Sequence, residues 1–143
     1  MPKAPVPSEI AAFISAPRPA IVGTVRPDGA PSTTATWYDW DGSCLMLSMV
    51  ATGPRARNVR NDPRISLTIL GDSWYDHVSL LGKVIRLRED RDLADLDRLS
   101  MRYWAKPYPK RELECVTAIV QVERWHAWGD PAQLGPPSTT GRP

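Results

Sequence analysis

Apolar residues recur at two different spacings along the chain, and the changes of spacing mark out the elements. Ile10, Phe13 and Ile14 follow three-to-four spacing behind Ser8, a residue suited to capping a helix, and Ala16-Pro17-Arg18-Pro19 ends that helix. Ala20-Ile21-Val22-Gly23-Thr24-Val25 then reads as a strand, closed by a turn at Pro27-Asp28-Gly29. Residues 32–40 are rich in Thr, Trp and Tyr and form a second strand. Asp41-Gly42 turns the chain into a third strand over residues 44–50, so the three make a meander. Residues 52–60 read as a short helix with Pro54 in its first turn, stopped by Asn61-Asp62-Pro63. Ile65, Leu67 and Ile69 alternate within a strand over residues 64–70. A long strand over residues 74–88 is expected to bulge at Gly82. Leu93, Leu96, Leu99 and Tyr103 keep helical spacing in a helix started by Asp90 or Asp92. Residues 113–128 form the last strand.

This order predicts a mainly β fold, a six-stranded antiparallel split β-barrel with short flanking helices, because closure removes exposed strand edges. It also divides the chain into one domain over residues 1–129 and a tail over residues 130–143. The tail is rich in Pro, Gly, Ser and Thr and is expected either to be disordered or to lie as an arm on a partner.

Composition narrows the function classes. The 143 residues are 42% hydrophobic and 24% charged, the mixture of a soluble globular protein. A net charge of +2 is too balanced for nucleic acid held by bulk charge, so no nucleic-acid partner is expected. No apolar run approaches the ~18 residues of a membrane-spanning helix, and the first residues lack a signal-peptide core. These readings, with Cys44 and Cys115 as reduced thiols in strand-like contexts, point to a cytoplasmic protein with no membrane partner. His77 and His126 are the only histidines and are far apart, which gives little support to a zinc site or a Ser-His-Asp triad; no metal is expected. Six Trp is high for this length, and Trp often lines sites for flat ligands.

The segment richest in chemistry is Leu47-Ser48-Met49-Val50-Ala51-Thr52-Gly53-Pro54-Arg55-Ala56-Arg57-Asn58. Here a strand feeds a helix N-terminus, which carries partial positive charge and unpaired N–H groups. Arg55 and Arg57 add forked donors matched to phosphate oxygens, and Ser48 and Thr52 add hydroxyls. The same residues also read as a solvated basic helix paired with nearby acids, and sequence leaves the two readings about even.

In Gly23-Thr24-Val25-Arg26-Pro27-Asp28-Gly29, in Trp37-Tyr38-Asp39-Trp40-Asp41-Gly42, and above all in Arg55-Ala56-Arg57-Asn58-Val59-Arg60-Asn61-Asp62-Pro63-Arg64-Ile65-Ser66-Leu67, the chain resembles the pyridoxamine 5′-phosphate oxidase-like split β-barrels. These bind flavin or deazaflavin, and the last run looks like the branch whose members often depend on coenzyme F420. The resemblance implies a homodimer with cofactor sites between subunits, with the ring over the second and third strands and the phosphate at the short helix. Carried over by position, it gives Arg55 and Arg57 the phosphate, with Thr52 beside them, and sets Thr34, Thr36 and Trp37 along the ring. Leu47, Ser48 and Met49 would border the ring, some through backbone groups, and Trp74 and Tyr75 would reach in from a partner. For Trp74 ordinary packing is the stronger reading; for Thr34 and Thr36 strand propensity weighs equally; Trp125 and Trp128 read as core or interface. Lys3, Arg18 and Arg60 are candidates to meet an anionic cofactor tail. No catalytic residue is assigned; Tyr38, Tyr75 and His77 are the candidate proton donors. The Arg-rich C-terminal segment that seats pyridoxal phosphate in the true oxidases is replaced here by Trp125-His126-Ala127-Trp128-Gly129 and a Pro-rich tail. The implied function is therefore an F420-dependent reductase giving a hydride to a flat unsaturated small molecule. The alternatives are an FMN-binding oxidoreductase of the same fold and a non-enzymatic cofactor-binding or storage protein.

Overall fold

The computed structural model describes residues 1–129. The predicted tail, residues 130–143, lies outside the described residues. In chain order the elements are α1 (Ser8–Ser15), β1 (Ala20–Val25), β2 (Pro31–Thr36), β3 (Asp39–Trp40), β4 (Cys44–Val50), α2 (Pro54–Asn61), β5 (Arg64–Leu70), β6 (His77–Glu89), α3 (Ala94–Trp104) and β7 (Cys115–Trp128). All strand pairs are antiparallel.

Among the described residues seven strands form one sheet in the order β2-β1-β5-β6-β7-β4-β3, where the pattern predicted six. The order is linear, with β2 and β3 as its two edges, so the sheet does not close by hydrogen bonding. The extra strand comes from a break in the predicted second strand at Trp37-Tyr38. Tyr38 is fully buried, and its hydroxyl donates to the carbonyls of Ile14 (2.8 Å) and Ala16 (2.9 Å) at the end of α1. Arg102 of α3 donates through Nε to the Tyr38 carbonyl (3.0 Å). A residue held from both sides by helices leaves the strand ladder, and β2 and β3 go to opposite ends of the sheet. The same break cuts the predicted meander in two: both its hairpins form, β1 with β2 and β3 with β4 across Asp41-Gly42, but β4 pairs with β3 and β7, not with β2.

The core follows the alternation expected of strands covered on one face. Val22, Leu45, Leu47, Met49, Leu67, Ile69, Leu80 and Val120 are buried in it, with Ile10, Phe13 and Ile14 packed from α1. Ser8 begins α1 without capping it; Pro7 occupies the cap position and no side chain bonds there. α2 starts two residues later than the predicted 52–60 and ends one later, at Asn61, with Pro54 in its first turn as expected. Inside α2, Asn58 Nδ2 donates to Thr24 Oγ1 (3.0 Å), a buried bond that docks the helix on β1. Asp90 is buried and starts α3 by accepting from the amides of Asp95 and Leu96 (both 3.0 Å). The register between β6 and β7 shifts at Leu81/Gly82, as expected, and again at Val84/Arg86. A Cβ on Gly82 would collide with the carbonyl oxygen of Gln121, so the strands approach closely only because position 82 has no side chain. Trp74 and Tyr75, predicted within this strand, lie in the turn before it. The N-terminal arm runs along the other edge of β7, where Trp125 N donates to Pro2 O (3.1 Å) and Ala4 N to Glu123 O (2.9 Å).

Cys44 pairs with Gln121 and Cys115 with Val50, at opposite ends of the β4–β7 ladder. Six strand positions separate them, about 20 Å, so the two thiols cannot form a bridge.

Candidate functional site

Because β2 and β4 sit on different flanks of a linear sheet, the gap between them needs something to span it. Arg55, in the first turn of α2, does so. Its Nη1 donates to Thr36 Oγ1 at the end of β2 (3.0 Å), and its Nη2 reaches the Ser48 carbonyl of β4 (3.3 Å). That carbonyl is available because β3 pairs only with Leu45 and Met46, which leaves the rest of that β4 edge outside the ladder. Burial disfavours the Arg55 charge and lowers its pKa, and among the described residues no carboxylate pairs with it. Arginine keeps its proton in such a setting. The result is a half-buried cation with five donors, two of them used within the protein.

Arg55 stands in the wall of a cavity of about 890 Å³. The wall combines the end of β2, the open edge of β4, the start of α2 and one face of α3, and includes Trp37, Ser48, Tyr103 and Tyr108. Four aromatic rings pack into it. Trp37 stacks on Tyr103 (5.4 Å between centroids, 9° between planes) and Trp104 on Tyr108 (6.0 Å, 8°). Trp37 also meets Trp104 (4.7 Å) and Tyr108 (6.1 Å) nearly at right angles, the geometry favoured by ring quadrupoles. The Tyr103 hydroxyl donates to the Arg18 carbonyl (2.8 Å), and burial pushes its pKa up to about 12. Burial likewise raises the Cys115 thiol, with a Ser48 side-chain hydrogen bond opposing, so this wall residue is a protonated thiol at neutral pH.

Of the ten sequence-predicted binding residues, Thr36, Trp37, Ser48 and Arg55 come together at this cavity. Leu47 and Met49 point into the core. Thr34, Thr52 and Arg57 are exposed and do not line the cavity. Trp74, 79% exposed, lies in the turn between β5 and β6 and packs edge-on against Tyr75. Arg18, a candidate for the anionic tail, is buried, with Nε donating to Phe13 O (2.8 Å) and its guanidinium over the Phe13 ring (4.0 Å). Among the candidate proton donors, Tyr38 is a buried structural donor with its pKa raised by desolvation, and neither Tyr75 nor His77 lines the cavity.

Sequence reasoning missed the contribution of α3. Leu96, Leu99 and Tyr103 were legible as the inner face of a helix, but not as the wall of a cavity. The available signal was Arg102-Tyr103-Trp104 followed by Tyr108, a concentration of rings and charge at one helix end.

The profile of the pyridoxamine 5′-phosphate oxidase family matches residues 6–129. Among solved structures, one described as an F420 reductase is similar at 26% identity and a TM-score of 0.78, covering 85% of this chain and 98% of its own. A conserved hypothetical protein from Mycobacterium tuberculosis is similar at 27% identity and a TM-score of 0.67, covering 97% and 94%. A putative pyridoxamine 5′-phosphate oxidase from Listeria innocua shares the fold at 19% identity and a TM-score of 0.65, covering 83% and 94%.

Proposed function

The chain belongs to the pyridoxamine 5′-phosphate oxidase family, and on that premise we propose that it is an F420-dependent reductase acting on a flat unsaturated small molecule. One observation carries the reading: the half-buried Arg55 guanidinium between Thr36 and Ser48, with donors to spare and no carboxylate partner among the described residues. A buried cation without a counter-ion is costly, and a phosphate would supply the missing charge. The likeness to the F420 reductase, over nearly its whole length, supports the choice of deazaflavin.

The donor set fits a phosphorylated flat cofactor. Arg55 would hold the phosphate with the hydroxyls of Thr36 and Ser48 beside it. Arg57, exposed near the same helix start, would add long-range attraction rather than a buried contact, and the uncharged Thr52 hydroxyl, also exposed, would act only by direct hydrogen bonding. Trp37 would border the ring, and Leu47 and Met49 would contribute backbone alone, since their side chains are in the core. Thr34 and Trp74 would reach cofactor only across a dimer. When bound, the deazaflavin supplies the hydride. This chain orients the ring and keeps water from it with the aromatic wall. The Tyr103 hydroxyl, at about 12 and donating to a carbonyl, holds the wall rather than a transferable proton.

Arg55 reads a phosphate and not a ring, so the same anchor would serve FMN. The reading also includes a homodimer and a cytoplasmic setting. Exposed apolar residues at Trp74, Tyr75, Leu81, Ile85 and Trp128 support the homodimer.

Fluorescence titration with F420 and with FMN tests the proposal. F420 should bind in the micromolar range or tighter. Arg55→Ala should weaken it by about ten- to a hundredfold, the worth of charge-assisted hydrogen bonds, and Arg57→Ala far less. A flavin spectrum in the purified protein would move the reading to FMN. No binding of either cofactor at tens of micromolar would overturn it.

A further inference from the structure

Arg55 is held at the seam by a side chain whose own hydrogen bonds run on into the chain. Thr36 is the last residue of β2, paired with Ala20, and its side chain is half-buried at the cavity wall. Thr36 Oγ1 accepts from Arg55 Nη1 (3.0 Å) and donates to the carbonyl of the next residue, Trp37 (2.9 Å). A hydroxyl has one proton and two lone pairs. The proton is spent on Trp37 O, and the side turned to Arg55 is an acceptor. The two bonds reinforce each other, because a cation donating to a hydroxyl oxygen polarises its O–H toward the acceptor beyond. Ser48 O takes Arg55 Nη2 from the opposite strand (3.3 Å), so both terminal nitrogens of the guanidinium are fixed.

With its proton committed, Thr36 has nothing to donate to a phosphate unless it gives up Trp37 O. What it supplies is order. The carbonyl it holds belongs to the residue whose indole stacks on Tyr103 in the aromatic wall (5.4 Å between centroids). One side chain thus ties the cation to the backbone of the ring wall, at the point where β2 ends. Without that hydroxyl Arg55 keeps only the longer bond to Ser48 O, and a long side chain regains rotamer freedom.

We propose that Thr36 is a positioning residue for the cofactor phosphate: it acts through Arg55, holding the guanidinium oriented and in register with Trp37, and makes no hydrogen bond to the phosphate itself. What Arg55 binds rests on the reductase reading; that Thr36 orders Arg55 does not.

The test uses the full chain with Thr36→Val, Thr36→Ser, Arg55→Ala and the double variant of valine and alanine. Valine keeps the branched shape that suits a strand end, and serine keeps the hydroxyl. Affinity is read by fluorescence titration with F420, or with FMN if that is the cofactor bound. Thr36→Val should weaken binding about three- to tenfold, the cost of ordering one long side chain on association, and Thr36→Ser should stay within about twofold of wild type. In the Arg55→Ala background Thr36→Val should cost less than about twofold more, because a group that acts through Arg55 then has nothing to act on. An equal loss in both backgrounds means direct contact with the cofactor and overturns the proposal. Unchanged affinity in Thr36→Val, or a loss in Thr36→Ser as large as in Thr36→Val, overturns it too. NMR of the cofactor-free protein reads the ordering itself. The Arg55 signals, assigned by their loss in Arg55→Ala, should show separate Nη protons in wild type and Thr36→Ser, and one averaged signal in Thr36→Val. Separate signals that persist in Thr36→Val overturn the ordering role. If neither cofactor binds, the reductase reading falls, and these signals alone decide whether Thr36 orders Arg55.

Discussion

Arg55 and Arg57 sit two positions apart and look interchangeable in the sequence, yet they face different surroundings. A helix turns about 100° per residue, so two positions put side chains on nearly opposite faces. Arg55 faces the seam and Arg57 faces solvent. Tyr38 makes the same point with opposite outcome, because a polar residue in a strand-like run proved to be the largest fully buried side chain among the described residues. Its hydroxyl donates to two carbonyls at the end of α1. Tyr38→Phe removes one donor and leaves those acceptors away from water, so it should cost about 1–3 kcal/mol. Chemical denaturation measures this directly; a loss below a few tenths of a kcal/mol would mean that water replaces the bond.

At the scale of elements, α3 and the loop after it decide the shape of the cavity. The loop is pinned by Asp97, which accepts from Arg111 Nη1 (2.6 Å) and Nη2 (3.1 Å) and from the Tyr108 amide (3.0 Å). The Arg111 hydrogen bonds, and then the Tyr108 amide, hold the Asp97 carboxyl below the usual carboxylate range. Its folded pKa is thus below its unfolded value of about 3.9. The stabilisation it brings is complete above that unfolded value and is lost as pH falls through the folded one. Hydrogen exchange of residues 105–112 should therefore be faster in Asp97→Asn than in the wild type at pH 6. The difference should shrink as pH drops from about 5 to 3, and a pH-independent ratio would show that the carboxylate does not hold the loop. The positions of α1 and α3 were legible in their apolar spacing, that of α2 in Pro54 and the Asn61-Asp62-Pro63 stop, and Gly82 was legible as a bulge. The break at Trp37-Tyr38 was not. Thr, Trp and Tyr favour strands locally, and only contacts from residues about 20 and 65 positions away in the chain end the ladder there.

At the scale of the whole molecule, the sheet leaves apolar side chains on its outside. Trp128 is 48% exposed and packs with Tyr75, while Leu81 and Ile85 point outward from β6. Such a surface suits a second copy of the chain, in keeping with the proposed homodimer. Sedimentation should give a mass twice that of the chain, and Ile85→Glu should shift the equilibrium toward monomer by tenfold or more. A wild-type monomer at about 100 μM would remove Trp74 and Thr34 from any cofactor site, since neither lines the cavity of its own chain.

The amino-acid order by itself determined the mainly antiparallel β architecture, the three helices and the basic start of α2, because apolar spacing, Pro and Gly act over a few residues. It also carried the family resemblance that the profile match bears out over residues 6–129. Which of ten candidate residues meet at one cavity was decided only by tertiary structure. Strand alternation turns Leu47 and Met49 inward and Ser48 outward, but which face is covered depends on the sheet order, and that is a long-range property. The aromatic wall exists for the same reason: the packing of α3 against Tyr38, Asp39 and Ser15 brings Tyr103 and Trp104 to Trp37 from more than sixty positions away.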